Sequence, residues 1–358
     1  VFLWQFVVYY PMAHMVWGGG FLAQIGSIDF AGGNVVHISS GVSGLVLAIL
    51  IGKRKGIEKR SVVPHNIPFV VLGASLLWFG WFGFNAGSAL AADGLALHAF
   101  TTTNTSAACA MLSWMIIDII KGGKPTVVGA CTGGVIGLVA ITPGAGFVPI
   151  WASFIIGALV SPICYFALSV LKPKFGYDDA LDAFGCHGIG GIWGGIATGL
   201  FAQTSINPVA KWDGLVFGDY HLFVAQVLSI LVTIAVAVVG TLICVGIVRL
   251  FTKLRVDENS ENVGFSKGNN DAAKIANGEY LILLNNDIEP TYGWLNEMVG
   301  TILNNENVGS VGAKLIFPYY EDMESQGKSF SIQHAGVKFR EERTPYIYGP
   351  YHEHMYST

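Results

Sequence analysis

Hydrophobic positions dominate the first 250 residues in runs long enough to cross a bilayer. About 20 predominantly apolar residues span the roughly 30 Å hydrocarbon core. Eight such runs are predicted: 1–22, 29–52, 66–91, 101–120, 125–142, 147–171, 185–203 and 221–251. The runs at 125–142 and 185–203 are short and rich in glycine. After residue 251 the pattern breaks into short apolar stretches such as YLILL, separated by polar segments.

The polar intervals test this count. KRKGIEKR (53–60), KGGK (121–124), KPK (172–174) and then Lys253 and Arg255 fall in alternate loops, whereas Lys211 stands alone on the other side. Basic residues concentrate on the cytoplasmic face of membrane proteins. The first residue is therefore predicted outside and the tail inside, in a multi-pass protein of the cell membrane.

Composition adds a second division. The chain of 358 residues is 52% hydrophobic and 12% charged, with a mean hydropathy of +0.54. Residues 1–250 hold 11 Lys/Arg and 9 Asp/Glu, and the remainder holds 9 and 15. An apolar domain is thus joined to a shorter, acidic, water-compatible one. The net charge of −4 offers no sign of nucleic-acid binding. The five cysteines lie in apolar stretches without metal-ligand spacing, so they read as small buried hydrophobes and no metal or cofactor is expected. Of 46 glycines, 36 precede residue 251; at three- and four-residue spacing they let helix backbones approach closely in lipid.

Candidate chemistry is confined to a few polar side chains inside these runs. His37 lies in NVVHISSG and His187 in FGCHGIGG. An ionisable ring in hydrocarbon is costly unless it faces a bundle interior or pore, so the pair either lines a pore or bonds structurally to backbone carbonyls. A neutral imidazole carries one donor and one acceptor nitrogen, which suits a small polar guest. In LLWFGWFGFNAGSAL, Phe84 and Ser88 share a helix face, and Trp81 and Phe84 roughly align; aromatic packing is the plainer account of any one ring. Trp17, in HMVWGGG, is an interfacial anchor or a cation–π cradle. Asp29 and Asp182 each stand at the start of a glycine-rich span, and N-capping is the expected role of both. Their placement before His37 and His187 forms a weak internal echo of the kind produced by inverted repeats. No nucleophile–base–orienter set can be drawn from these residues, so the membrane domain is not expected to be an enzyme.

AHMVWGGG, DFAGGNVVHISSG, WFGWFGFNAGSAL, TNTSAACAMLSW, KGGKPTVVGACTGGVIGLVAITPGAGFV, GYDDALDAFGCHGIGGIWG and LRVDE together resemble the ammonium transporter family, including its Rh relatives, over residues 1–258. That resemblance implies an all-α polytopic fold with an inverted repeat of five plus five helices and one long final helix, eight of the eleven being present here. The first three helices and one gate phenylalanine are absent from the sequence, and truncation is the expectation. The resemblance also implies a homotrimer with one pore per subunit, in contact with the lipid bilayer and with a cytoplasmic regulatory protein. His37 and His187 match the twin histidines of the pore and Phe84 the inner gate ring. Trp17 and Ser88 match the outer ammonium recruitment site, and Asp29 the acidic residue beneath it, with a structural or cation-stabilising role also assigned here to Asp182. Ammonium would be recruited outside and deprotonated, and ammonia would cross by the histidines.

From residue 259 the sequence resembles family 2 glycosyltransferases instead, through GFSKGNN, LLNND, GAKLIFP and QHAGV. The resemblance implies a partial α/β fragment over 259–358, in which Asn285, Asn286 and Asp287 correspond to the metal- and nucleotide-sugar-binding motif. Its amino-terminal nucleotide-binding strands are missing, and the fragment is expected to be inactive. Alternatives to transport are a membrane-bound ammonium sensor or regulator and a membrane-tethered glycosyltransferase.

Overall fold

The computed structural model describes residues 1–54, 64, 66–255, 294–304, 315–316, 332–334, 337–338 and 351–352. The chain divides into two compact units, Val1–Val263 and Gly264–Thr358.

The regular structure of the described part of the first unit is helical. Helical turns from Phe2 run into α1 (Tyr10–Trp17), followed by α2 (Gly33–Ile51), α3 (Ile67–Ala89), α4 (Gly94–Gly122), α5 (Val127–Ile141), α6 (Ile150–Phe175), α7 (Gly190–Phe201) and α8 (His221–Phe251). Each predicted span thus contains a helix. Five of them, α2, α3, α4, α6 and α8, are long and apolar enough to cross a membrane by length and composition. The 31 residues of α8 reach roughly 46 Å.

Sequence signals set the helix ends. The Asp93 carboxylate accepts from the amides of Leu95 and Ala96, so α4 begins seven residues before the predicted 101. Asn66 and Thr126 cap α3 and α5 through side-chain oxygens. Gly123 closes α4 in a left-handed conformation, as a helix terminator should.

Small residues let the helices pack closely. A methyl built on Gly157 of α6 would overlap the Ser106 carbonyl of α4, and one on Gly137 of α5 would meet the backbone of Ala107. The largest buried cluster includes Ile136, Ile141, Phe147, Ile156 and Leu222. α3 is the exception, because only 6% of its apolar window is buried and Phe69, Leu76 and Phe79 are exposed. A helix apolar on every side faces lipid or another protein.

One end of the bundle is tied by a clasp between loops. The Arg54 guanidinium donates to both Asp178 carboxylate oxygens at 2.7 and 2.9 Å, and its backbone amide donates at 2.8 Å. The Asp178 side chain is 4% exposed and that of Arg54 52%. These hydrogen bonds hold the Asp178 carboxyl below its usual value. The clasp therefore stabilises the fold above the unfolded carboxyl value near 4 and is lost as pH falls through the lower folded value. Asp178→Asn is expected to destabilise by about 1 kcal/mol at neutral pH, given the exposure of Arg54. Thermal unfolding against pH should show this difference vanishing under strong acid; a gap independent of pH would overturn it.

In the second unit, α9 (Trp294–Leu303) is amphipathic. β1 (Leu315–Ile316) pairs antiparallel with β2 (Ile332–His334), and β3 (Val337–Lys338) with β4 (Tyr351–His352). Asn285, Asn286 and Asp287 lie outside the described residues.

Candidate functional site

The first half of the site is built by Asp29. Its Oδ1 accepts from the amides of Gly32 and Gly33 at 2.9 and 2.7 Å, and Oδ2 from those of Asn34 and Val35 at 2.7 and 3.4 Å. Four amides at a helix start are thereby satisfied by one buried carboxylate. Gly32 makes the necessary turn at φ 123°, which a side chain would resist. The carbonyl of Asp29 also accepts from the Trp17 indole N–H at 2.8 Å. Beyond this turn, Gly33–Ile38 winds as a π-helix, and it carries His37.

The second half repeats the device with different residues. Phe184–Ile189 is again six residues of π-helix, leads into α7, and carries His187. Here the expected capping role of Asp182 is corrected. Asp182 adopts φ 55°, and its carboxylate is bound by Lys172 Nζ. The carboxylate that receives the amide of Phe184, at 2.8 Å, belongs to Asp179. A left-handed residue just before the helix leaves the capping position to an acid three residues earlier.

The two segments meet at glycine. A methyl on Gly41 would overlap the backbone nitrogen of Gly188, so the backbones of α2 and the His187 segment touch directly. This brings His37 Nδ1 and His187 Nδ1 to 3.2 Å, with ring centroids 5.2 Å apart. His37 is 2% exposed and His187 is half-buried.

Aromatic rings pack against His37. Trp81 stacks on His37 at 5.4 Å and 19°, and Phe84 lies 6.1 Å from the same imidazole. Phe84 remains 39% exposed. Thr142, at the end of α5, is a member that the sequence pattern did not single out. Its Oγ1 lies 3.2 Å from His37 Nε2, accepts from Trp81 Nε1 at 3.0 Å and donates to the Leu138 carbonyl at 2.8 Å. The available signal was a hydroxyl immediately before Pro143–Gly144 at the close of an apolar run.

His37, His187 and Phe84 are thus brought together, with Trp81. Trp17 and Ser88 are not joined by a hydrogen bond: the Ser88 hydroxyl donates to the Phe84 carbonyl at 2.9 Å, while Trp17 turns its N–H to Asp29. Among the described residues no group of three His, Cys, Asp or Glu is placed to hold a metal ion. Chemically, the arrangement offers imidazole nitrogens beside aromatic rings. It suits hydrogen bonding to a small guest.

Residues 1–274 match the Ammonium Transporter Family profile, and residues 243–352 match that of Glycosyl transferase family 2. The chain is 55% identical over 262 residues to the ammonium transporter of Bacillus subtilis (strain 168), covering 73% of this chain and 64% of that protein. It is 49% identical over 263 residues to ammonium transporter Amt1 of Archaeoglobus fulgidus, covering 73% and 66%. The chain therefore spans less than two thirds of these relatives. The crystal structure of Saccharomyces cerevisiae Mep2 superposes with a TM-score of 0.69 at 39% identity, covering 75% of this chain and 62% of that one. The solved structure of a Sensor Amt Protein superposes at 0.63 with 28% identity, covering 73% and 66%.

Proposed function

This chain belongs to the ammonium transporter family, and from that premise we propose that it carries ammonium across a cell membrane as ammonia, past the His37–His187 pair. One observation carries the reading: a buried and a half-buried imidazole with Nδ1 atoms 3.2 Å apart, Trp81 and Phe84 packed against the buried one. A bare cation at such a site would pay a large desolvation cost, whereas a neutral molecule that forms hydrogen bonds would not. Ammonium is therefore recruited near Trp17 and Ser88, loses its proton outside the Phe84 ring, and passes inward as ammonia. Asp29 acts structurally here, since both its oxygens are occupied by backbone amides. Asp182 holds Lys172 at the opposite end of the bundle.

The finer architecture belongs to the same proposal. Eight membrane spans place the Arg54–Asp178 clasp and the basic loops on the cytoplasmic side, with the carboxyl-terminal tail. In support, Arg255 donates to the Ile51 carbonyl, so the basic ends of α8 and α2 lie at one face. The protein works as a homotrimer in the bilayer and meets a cytoplasmic regulatory protein. In this reading the tail is not a catalytic part of the protein, and Asn285, Asn286 and Asp287 are a vestigial motif. The structural likeness to a sensor favours ammonium sensing as the second reading.

Methylammonium uptake by cells expressing the full chain tests the proposal. Uptake is expected with the unaltered protein and at least about tenfold less with His187→Ala, the equivalent of losing one guest hydrogen bond of roughly 1.4 kcal/mol. Robust uptake unchanged by that substitution would remove His187 from the pathway. Ammonium binding without uptake would favour the sensor.

A further inference from the structure

The hydrogen bonds around Thr142 form a directed chain, because several of their members can act in one sense only. The Leu138 carbonyl only accepts, and at 2.8 Å it takes the Thr142 hydroxyl proton. The Trp81 indole only donates, and it takes one Thr142 lone pair at 3.0 Å. The remaining lone pair faces His37 Nε2 at 3.2 Å, and two acceptors cannot bond to each other. His37 Nε2 must therefore carry hydrogen.

In a neutral ring this leaves His37 Nδ1 bare. At 3.2 Å from it, His187 Nδ1 must then be the donor. His187 Nε2 remains as a bare acceptor that makes no hydrogen bond among the described residues. We propose that Thr142 is a positioning residue that fixes the tautomers of both histidines through this chain, so that the pair presents an acceptor, His187 Nε2, to its guest. The rings against His37 are Trp81 and Phe84, which offer its nitrogens no competing partner. Without the hydroxyl, His37 is free to place its hydrogen on Nδ1. His187 would then accept at Nδ1 and carry hydrogen on Nε2, presenting a donor in place of the acceptor.

The consequence for selectivity rests on the transport reading: an acceptor at the pair favours a guest with N–H donors. The tautomers themselves are measurable without transport. Nitrogen-15 NMR of the full chain in lipid nanodiscs, labelled at histidine, distinguishes bare from hydrogen-bearing ring nitrogens, and coupling across the shared proton identifies this pair. In the unaltered protein His37 is expected as the Nε2–H form and His187 as the Nδ1–H form; the reverse pattern overturns the proposal. Thr142→Val should lose this arrangement, and Thr142→Ser should keep it. Unchanged tautomers in a folded Thr142→Val protein would also overturn it. Methylammonium uptake should fall about tenfold in Thr142→Val and be restored by Thr142→Ser. Correct tautomers in an unaltered protein that takes up no methylammonium would sustain the assignment and count against transport alone.

Discussion

Replacing Asp29 with alanine is expected to destabilise the first unit by on the order of 4 kcal/mol and to abolish methylammonium uptake. The carboxylate is 6% exposed and serves four consecutive amides at the start of the His37 segment. Hydrogen bonds to a charged acceptor contribute about 1.5–3 kcal/mol each, and buried amides left unpaired cost about 1–3 kcal/mol. Partial relaxation and water entry keep the total below the simple sum. Asp29→Asn recovers little, because its NH2 would face peptide N–H groups with the wrong polarity. Thermal unfolding in lipid, measured beside uptake, decides the matter. An Asp29→Ala protein with unaltered melting would show that the turn holds without its carboxylate.

The second large effect comes from one added methyl group. Gly41→Ala places Cβ against the backbone of Gly188 and His187, and backbone has no rotamer by which to yield. Overpacking of this kind costs about 1–3 kcal/mol. Its greater consequence is geometric, since the helices must part at the point that sets the 3.2 Å contact between imidazoles. That distance is already at the long end for a hydrogen bond, so separation breaks it, and uptake should fall more than about tenfold. Gly73→Ala in α3 is the matched control. Nothing lies within 4 Å of its would-be Cβ, and alanine has the better helix propensity. Equal losses in the two variants would refute the crossing argument.

The apolar runs were legible because length and hydropathy suffice to mark a helix in lipid. The run 221–251 coincides with α8, whereas the run at 29–52 overshot because Asp29 and the three residues after it form the capping turn. The start of α4 was missed because Asp93 and Gly94 are polar or small, and hydropathy does not register a cap. His37 and His187 were visible as isolated polar residues among glycines, but their contact was not. It depends on two backbones meeting at Gly41 and Gly188, and no periodicity encodes which glycines face each other.

Thr142 stayed hidden for a different reason. A threonine bonding back to a carbonyl four residues earlier is ordinary in helices, and only the third dimension adds Trp81 and His37 to its oxygen. Asp182 drew attention from Asp179 because proximity to the helix looked decisive. The left-handed turn at Asp182 gave the capping position to the other acid.

The paired π-wound segments make the site a matter of chain length as well as residue type. Removing one residue from an α-helical register turns the rest of the helix by roughly 100°, and a π turn holds one residue more between bonded peptides than an α turn. Each histidine therefore points inward only while its own segment keeps its residue count. A single in-frame codon deletion in either one would leave every histidine, tryptophan and threonine in place yet turn one imidazole out of phase with the other. For this pair, the spacing between residues is under the same constraint as their identity.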